Sequence, residues 1–327
     1  MGPYVARKTT PYYALVGMPL HVVTPLVESA PLSRAFGAPA WLKLESLQPT
    51  GSFKLRGIGR ACEEARAAGA RTFVSSSGGN AGLAVAWAGR VLAVPTTVVV
   101  PRTTSKRMID KMRSEGATVK VHGDAWDDAH AEATRVVEAE GGFYVHPFDA
   151  RAVWAGNASL VTEAVEQGMK RPGAVVLSVG GGGLLCGVLE GMHAVGWKDV
   201  PVLAVETVGA ASLNAAMKAG EPVDIGRIDS IAITLGARKV CERTLRWTRE
   251  HPITSWLCSD RQAVDACLRF ADDHRIVVEP ACGAALAAVY ERAPAIAGAS
   301  SLLVVVCGGA GATPADLVRW DAATSRS

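Results

Sequence analysis

The sequence predicts an α/β protein, a mainly parallel sheet with helices on both faces. Three observations carry that prediction. Short runs rich in Val, Thr and Leu alternate with longer stretches of helix-forming composition. Polar and glycine-rich segments fall where strand gives way to helix. Of the 327 residues 49% are hydrophobic and 20% charged, which is ample material for a large core.

Taken in order, residues 41–45 read as a strand, the Pro/Gly turn at 49–51 follows, and a helix opens at Lys54. Residues 72–75, 96–100, 118–121, 175–179, 202–205 and 302–306 read as buried parallel strands. Residues 80–91, 105–114, 126–139, 184–194 and 284–292 have helical composition. Sheets of this kind place ligands beyond the carboxyl ends of their strands. The segments 75–80, 180–183 and 308–311 fall at such ends, so one cleft assembled from distant parts of the chain is expected.

Charge excludes some partners. Thirty-four basic residues against thirty-one acidic ones leave +3, too little and too evenly spread for nucleic acid or an anionic membrane. Residues 12–27 are apolar but broken by Pro19, His21 and Pro25. Residues 172–189 carry no charge but contain four consecutive glycines, whose backbone lipid cannot satisfy. Both stretches read as parts of a soluble fold. Seven cysteines without a C-x-x-C pair suit reduced thiols in a cytoplasmic protein. Seven histidines in no ligand spacing give zinc little support.

Four segments carry chemistry. In Ser52-Phe53-Lys54-Leu55-Arg56-Gly57 the amine of Lys54 opens a helix, whose dipole favours the neutral form that a Schiff base needs. Spacing alone favours an ordinary surface lysine after a turn. In Ser75-Ser76-Ser77-Gly78-Gly79-Asn80-Ala81-Gly82, free backbone amides with Ser77 and Asn80 suit a carboxylate, or simply cap a helix. Gly180-Gly181-Gly182-Gly183-Leu184 lets amides converge on a phosphate, or forms a structural turn. It lacks both the complete dinucleotide fingerprint and a nucleotide-binding lysine. Cys307, alone, reads as a buried thiol, and Glu206, alone, as a strand-end carboxylate facing solvent.

Together with Cys307-Gly308-Gly309, these ordered segments resemble the serine/threonine dehydratase family, its liver-type branch, of pyridoxal-5′-phosphate (PLP) fold type II. Similarity runs through most of the chain, including Glu115-Gly116-Ala117-Thr118-Val119-Lys120-Val121 and Val278-Glu279-Pro280-Ala281-Cys282-Gly283. The resemblance implies conversion of L-serine to pyruvate and ammonia, and of L-threonine to 2-oxobutyrate, as part of amino-acid catabolism and gluconeogenesis. It implies that Lys54 bonds the cofactor aldehyde and later takes the substrate's α-proton. Phe53 would pack on the pyridine ring, Asn80 would bond the 3′-oxygen, and Gly180, Gly181, Gly182, Gly183 and Leu184 would hold the 5′-phosphate. Cys307 would face the ring nitrogen, and Ser77, Gly78, Asn80 and Ala81 would receive the substrate carboxylate. The phosphate would protonate the leaving hydroxyl, since these motifs hold no His or acid for that task.

The resemblance further implies a monovalent cation such as K⁺, held by Glu206 with backbone oxygens of Gly180, Ala210, Leu235 and Ala237. It divides the chain into a small mobile domain, 46–151, and a large PLP-binding domain, 1–45 with 152–327, of the tryptophan-synthase-β-like type. It also implies a homodimer. Two departures stand out. Ala310-Gly311 replaces the usual Ser-Asn, and Gly78 stands where the more active mammalian form has alanine, which is expected to loosen the grip on substrate. Serine racemase, threonine synthase and O-acetylserine sulfhydrylase are the rival PLP enzymes, and the region of Ser77 and Gly78 favours dehydration. A nicotinamide-dependent dehydrogenase lacks its fingerprint here. A non-catalytic binding module has no need of a lysine between two anion-binding loops.

Overall fold

The structure, a computed structural model, describes residues 18–325. Residues 12–17 of the apolar stretch, and the first 17 residues of the expected large domain, lie outside that span.

Among the described residues ten strands form two sheets. In chain order they are β1 (Leu26–Glu28), β2 (Ala40–Lys43), β3 (Phe73–Ser75), β4 (Thr96–Val100), β5 (Thr118–Val121), β6 (Phe143–Tyr144), β7 (Ala174–Ser178), β8 (Val202–Thr207), β9 (Ile253–Cys258) and β10 (Leu302–Val305). The larger sheet has the order β1-β2-β10-β7-β8-β9, parallel except for β1 against β2. The smaller one, β5-β4-β3-β6, is parallel throughout. The strands β7, β8 and β10 consist of buried residues, as their unbroken apolar runs require.

Twelve α-helices among the described residues flank the sheets: α1 (Ala30–Phe36), α2 (Lys54–Ala67), α3 (Asn80–Leu92), α4 (Lys106–Ser114), α5 (Trp126–Glu140), α6 (Arg151–Glu166), α7 (Gly183–Ala194), α8 (Ser212–Ala219), α9 (Glu242–Glu250), α10 (Asp260–His274), α11 (Pro280–Tyr290) and α12 (Pro314–Thr324). Helix α11 is apolar all round and packs across β7 to β10, and ten of its residues, Pro280 to Val289, are buried. Its start at Pro280 precedes the expected one, because proline at a first helical position gives up no hydrogen bond. The strand expected at 41–45 ends at Lys43, and Glu45 turns inward to meet Arg56. The uncharged run 172–189 divides into β7, the glycine turn and the start of α7. Among the described residues no helix is long and apolar enough to cross a membrane.

Topology places the cleft. In the larger sheet the chain moves outward from β7 through β8 to β9, then returns to insert β10 on the other side of β7. In the smaller sheet it moves from β3 through β4 to β5, then returns to add β6 beyond β3. Each reversal opens a crevice at the strand ends. The loops at these two crevices follow β7 and β10, and β3 and β6.

Candidate active site

The lysine loop leaves β2 and is tied across the end of β10. The Phe53 N–H donates to the Cys307 carbonyl at 3.1 Å, and the Gly309 N–H to the Gly51 carbonyl at 2.9 Å. Ser52 pairs with Gly308 between these bonds. They set Lys54 down as the first residue of α2, beside Cys307. Lys54 is partly buried, its Nζ donating to the Pro147 carbonyl at 2.8 Å and lying 5.2 Å from the centre of the Phe53 ring. Burial lowers its ammonium to about 8, with Cys307 and Glu279 pulling the other way. The neutral amine expected from the helix dipole is thus favoured chiefly by burial.

Pro147 belongs to the loop after β6, which the sequence motifs did not single out. His146 Nδ1 accepts the N–H groups of Phe148 (3.3 Å) and Asp149 (2.8 Å), which fixes the loop's shape. Burial, with His130 and Lys54 nearby, holds His146 down at about 4, so the ring is neutral. The next residue, Phe148, lies against the glycine turn. A Cβ on Gly181 would come within 2.5 Å of its ring, and one on Gly183 within 2.6 Å of its carbonyl oxygen. Loop 146–149 therefore joins Lys54 to the glycines, the juxtaposition on which the expected site depends.

The glycine turn enters α7 through Gly182, whose φ of 94° suits glycine and aims successive amides into one concavity. Asn157 Nδ2 holds the Gly183 carbonyl at 2.9 Å and the Cys241 N–H holds that of Gly181 at 3.1 Å, so these oxygens are turned away from an anion. The amides of the first turn of α7, including Leu184, have no partner within the helix.

The asparagine loop, after β3, ends at Asn80 on the first turn of α3. Ser77 Oγ accepts the Gly79 N–H at 3.3 Å. Asn80 is 7% exposed; its Oδ1 accepts the Ala310 N–H at 3.0 Å and its Nδ2 donates to Glu279 at 2.7 Å. Ala310 thus serves through its backbone, which the missing Ser-Asn side chains leave intact. The space an alanine methyl would take at Gly78 is filled by Thr104, so the loop is not slack there.

Cys307 is 6% exposed, and a hydrogen bond with Cys282 and burial push its thiol well above the ordinary value. It is neutral. Glu206 does not face solvent: it is wholly buried and accepts the N–H groups of Leu213 (2.7 Å) and Asn214 (2.8 Å). Helix α8 has no side-chain cap of its own, and Glu206, on the strand before it, takes that place. Burial raises its carboxyl to about 7, and no cationic side chain forms an ion pair with it among the described residues. Gly180 lies against Leu235, whose carbonyl accepts the Ala237 N–H at 2.7 Å.

The residue that motif reading missed is Glu279. It is 6% exposed and joins Asn80, Thr234 and the turn at Gly309. A glutamate just before a helix reads as an ordinary cap, and only the fold reveals that its side chain leaves its own helix.

The family profile described as "Pyridoxal-phosphate dependent enzyme" matches residues 18–308. The chain belongs to this family. Among relatives, an L-serine dehydratase/L-threonine deaminase of Bos taurus is 48% identical over 315 residues, 92% of this chain and 95% of that protein. Among solved structures, a fungal L-serine ammonia-lyase from Rhizomucor miehei superimposes with a TM-score of 0.87 at 36% identity, covering 93% of this chain and 98% of that one. A maize serine racemase, at 23% identity and a TM-score of 0.84 over 94% of this chain and 93% of that one, shares the fold. The expected PLP fold type II, two mainly parallel sheets with flanking helices, is borne out for this PLP enzyme.

Proposed function

We propose that the protein is a PLP-dependent ammonia-lyase that converts L-serine to pyruvate and ammonia, and L-threonine to 2-oxobutyrate. The observation that carries this is the Lys54 amine, lowered to about 8 and held at Pro147, one residue from the Phe148 that lies on the glycine turn. The pocket fits the cofactor: its cradle lacks side chains where a Cβ would collide, and its amine is suited to an aldehyde. When bound, PLP supplies the aldehyde for Lys54 and the electron sink that makes the substrate's Cα–H acidic.

In this reading the tasks divide among the loops of the cleft, and Lys54 and Asn80 each serve twice. Gly180, Gly181, Gly182, Gly183 and Leu184 hold the phosphate through backbone amides. Phe53 packs on the ring and Asn80 donates to the 3′-oxygen. Cys307, a neutral thiol, leaves the ring nitrogen unprotonated. Ser77, Gly78, Asn80 and Ala81 grip the substrate carboxylate at the start of α3. Lys54 Nζ, as a neutral amine, would take the α-proton. The segment 46–151 closes on the remainder and excludes water.

Glu206, buried without a cationic partner among the described residues, suits a monovalent cation with oxygens of Gly180, Ala210, Leu235 and Ala237; the ion would stiffen the loop beside the phosphate. The seven free cysteines fit a reducing cytoplasm. A homodimer completes the reading; the exposed Val208 and Ile233 offer apolar surface for it, and sedimentation gives its stoichiometry. The decisive test is Lys54→Ala. Purified wild type should be yellow, with borohydride fixing the colour on Lys54, and the variant should release neither pyruvate from serine nor 2-oxobutyrate from threonine. A colourless wild type that ignores added PLP ends the proposal.

A further inference from the structure

We infer that Glu279 is a positioning residue which sets the side-chain amide of Asn80, so that one Nδ2 hydrogen is turned toward the cofactor's 3′-oxygen. The inference deepens the reading above and rests on PLP occupying this cleft.

An asparagine amide can sit in either of two orientations that differ only in which end donates. At Asn80 both ends are committed. Oδ1 accepts the Ala310 N–H at 3.0 Å, and Nδ2 gives one hydrogen to Glu279 Oε1 at 2.7 Å. Rotating the amide by half a turn would set its NH₂ against the Ala310 N–H and its oxygen against the carboxylate. Two attractions would become two repulsions. Glu279 and Ala310 therefore fix the orientation, and the second hydrogen on Nδ2 has no acceptor among the described residues. A buried donor of that kind calls for an oxygen carrying negative charge, as the 3′-oxygen does.

Glu279 is placed for this task and not for a simpler one. It precedes α11, yet makes no side-chain cap there, and Pro280 has no N–H to offer it. Its Oε1 also accepts the Thr234 hydroxyl at 2.6 Å, which anchors the carboxylate in the loop against Gly180. Gly309 makes room for it, since a Cβ there would land on the Glu279 carboxyl. Four segments that a motif search treats separately (79–82, 234–235, 279 and 309–310) meet at this one group.

The test compares Glu279→Ala, Glu279→Gln, Asn80→Ala and the Glu279→Ala/Asn80→Ala double variant. Each is stripped of cofactor and titrated with PLP, following affinity and the balance of long- and short-wavelength absorbance. Glu279→Ala should weaken PLP binding by about tenfold or more and shift that balance. Glu279→Gln, which keeps an acceptor for Nδ2, should retain the wild-type spectrum. The double variant should bind no worse than Asn80→Ala alone, because the two residues act through one contact. If the alanine variant fails to fold, Glu279→Leu, of similar bulk and without an acceptor, gives the same comparison. Unchanged affinity and spectrum in Glu279→Ala or Glu279→Leu, or additive losses in the double variant, would overturn the inference. Wild type that takes up no PLP would overturn the reading of the site itself, a failure visible before any variant is made.

Discussion

Gly78 shows how one missing methyl is absorbed by a neighbour. Thr104, from the loop after β4, fills the space beside it in the asparagine loop. Restoring alanine by Gly78→Ala should therefore overpack the loop, at about 1–3 kcal/mol, and raise KM for serine. Thr104→Ala in the same chain should return KM toward the wild-type value. Steady-state kinetics on the single and double variants check this, and a Gly78→Ala enzyme with unchanged KM would refute it. Gly78 was legible as a departure from the family pattern. Its partner was not, because residues 78 and 104 are far apart in sequence and meet through the parallel pairing of β3 with β4 and the packing of α3 on α4.

At the scale of elements, α2 is anchored by a buried charge network as well as by apolar packing. Arg56 is wholly buried; its Nε and Nη2 bind Glu45 at 2.7 and 2.9 Å, and its Nη1 and Nη2 bind Glu163 at 2.7 and 2.6 Å. Lys43, also buried, donates to Glu163 at 2.9 Å and to the Thr24 carbonyl at 2.7 Å. Two acids and two bases thus tie α2 to β2 and α6, through an arginine two residues beyond Lys54. Arg56→Ala leaves buried Glu45 without a cationic partner and Glu163 without its bidentate one, though Lys43 still reaches Glu163, and should cost about 3–5 kcal/mol in urea unfolding. Arg60→Ala, which breaks only the exposed pair with Glu64, should cost at most about 1 kcal/mol. Equal losses in the two variants would show that the network does not anchor the helix.

Much of the element plan was legible. Apolar runs marked β4, β5, β7, β8 and β10, and the glycine and asparagine loops fall at strand ends as expected. Other elements were less so. β6 has two residues and β1 three, too short for a periodic signal, yet β6 carries the loop that holds Lys54. The charge network was hidden for a different reason: Glu45, Arg56 and Glu163 look like surface residues until the fold surrounds them.

Across the whole molecule, buried carboxyls make stability depend on pH. Desolvation raises Glu279 to about 7, against an ordinary value of 4.5, outweighing its bonds from Thr234 and Asn80. Between those values the folded chain keeps a proton that the unfolded chain has lost. Raising the pH through this window therefore removes stability, and the loss is complete above about 7. Glutamine at 279 does not titrate. In PLP-free protein the melting temperature of Glu279→Gln relative to wild type should climb from pH 4.5 to about 7 and then level off. A difference that is flat or declines over that range would contradict the assignment. Histidines held below their ordinary values, such as His146, act in the opposite sense, and taking the difference between the two proteins removes their contribution.

The return of the chain to place β10 between β2 and β7 has a consequence for biosynthesis. On the ribosome, β2 and Lys54 emerge early, yet the strand that binds them to the rest of their sheet is made some 250 residues later, as the order of elements dictates. Until it arrives, the lysine loop has no Cys307 to rest on and β7 has an open edge. A nascent chain therefore cannot complete the cleft around Lys54 until β10 has been made.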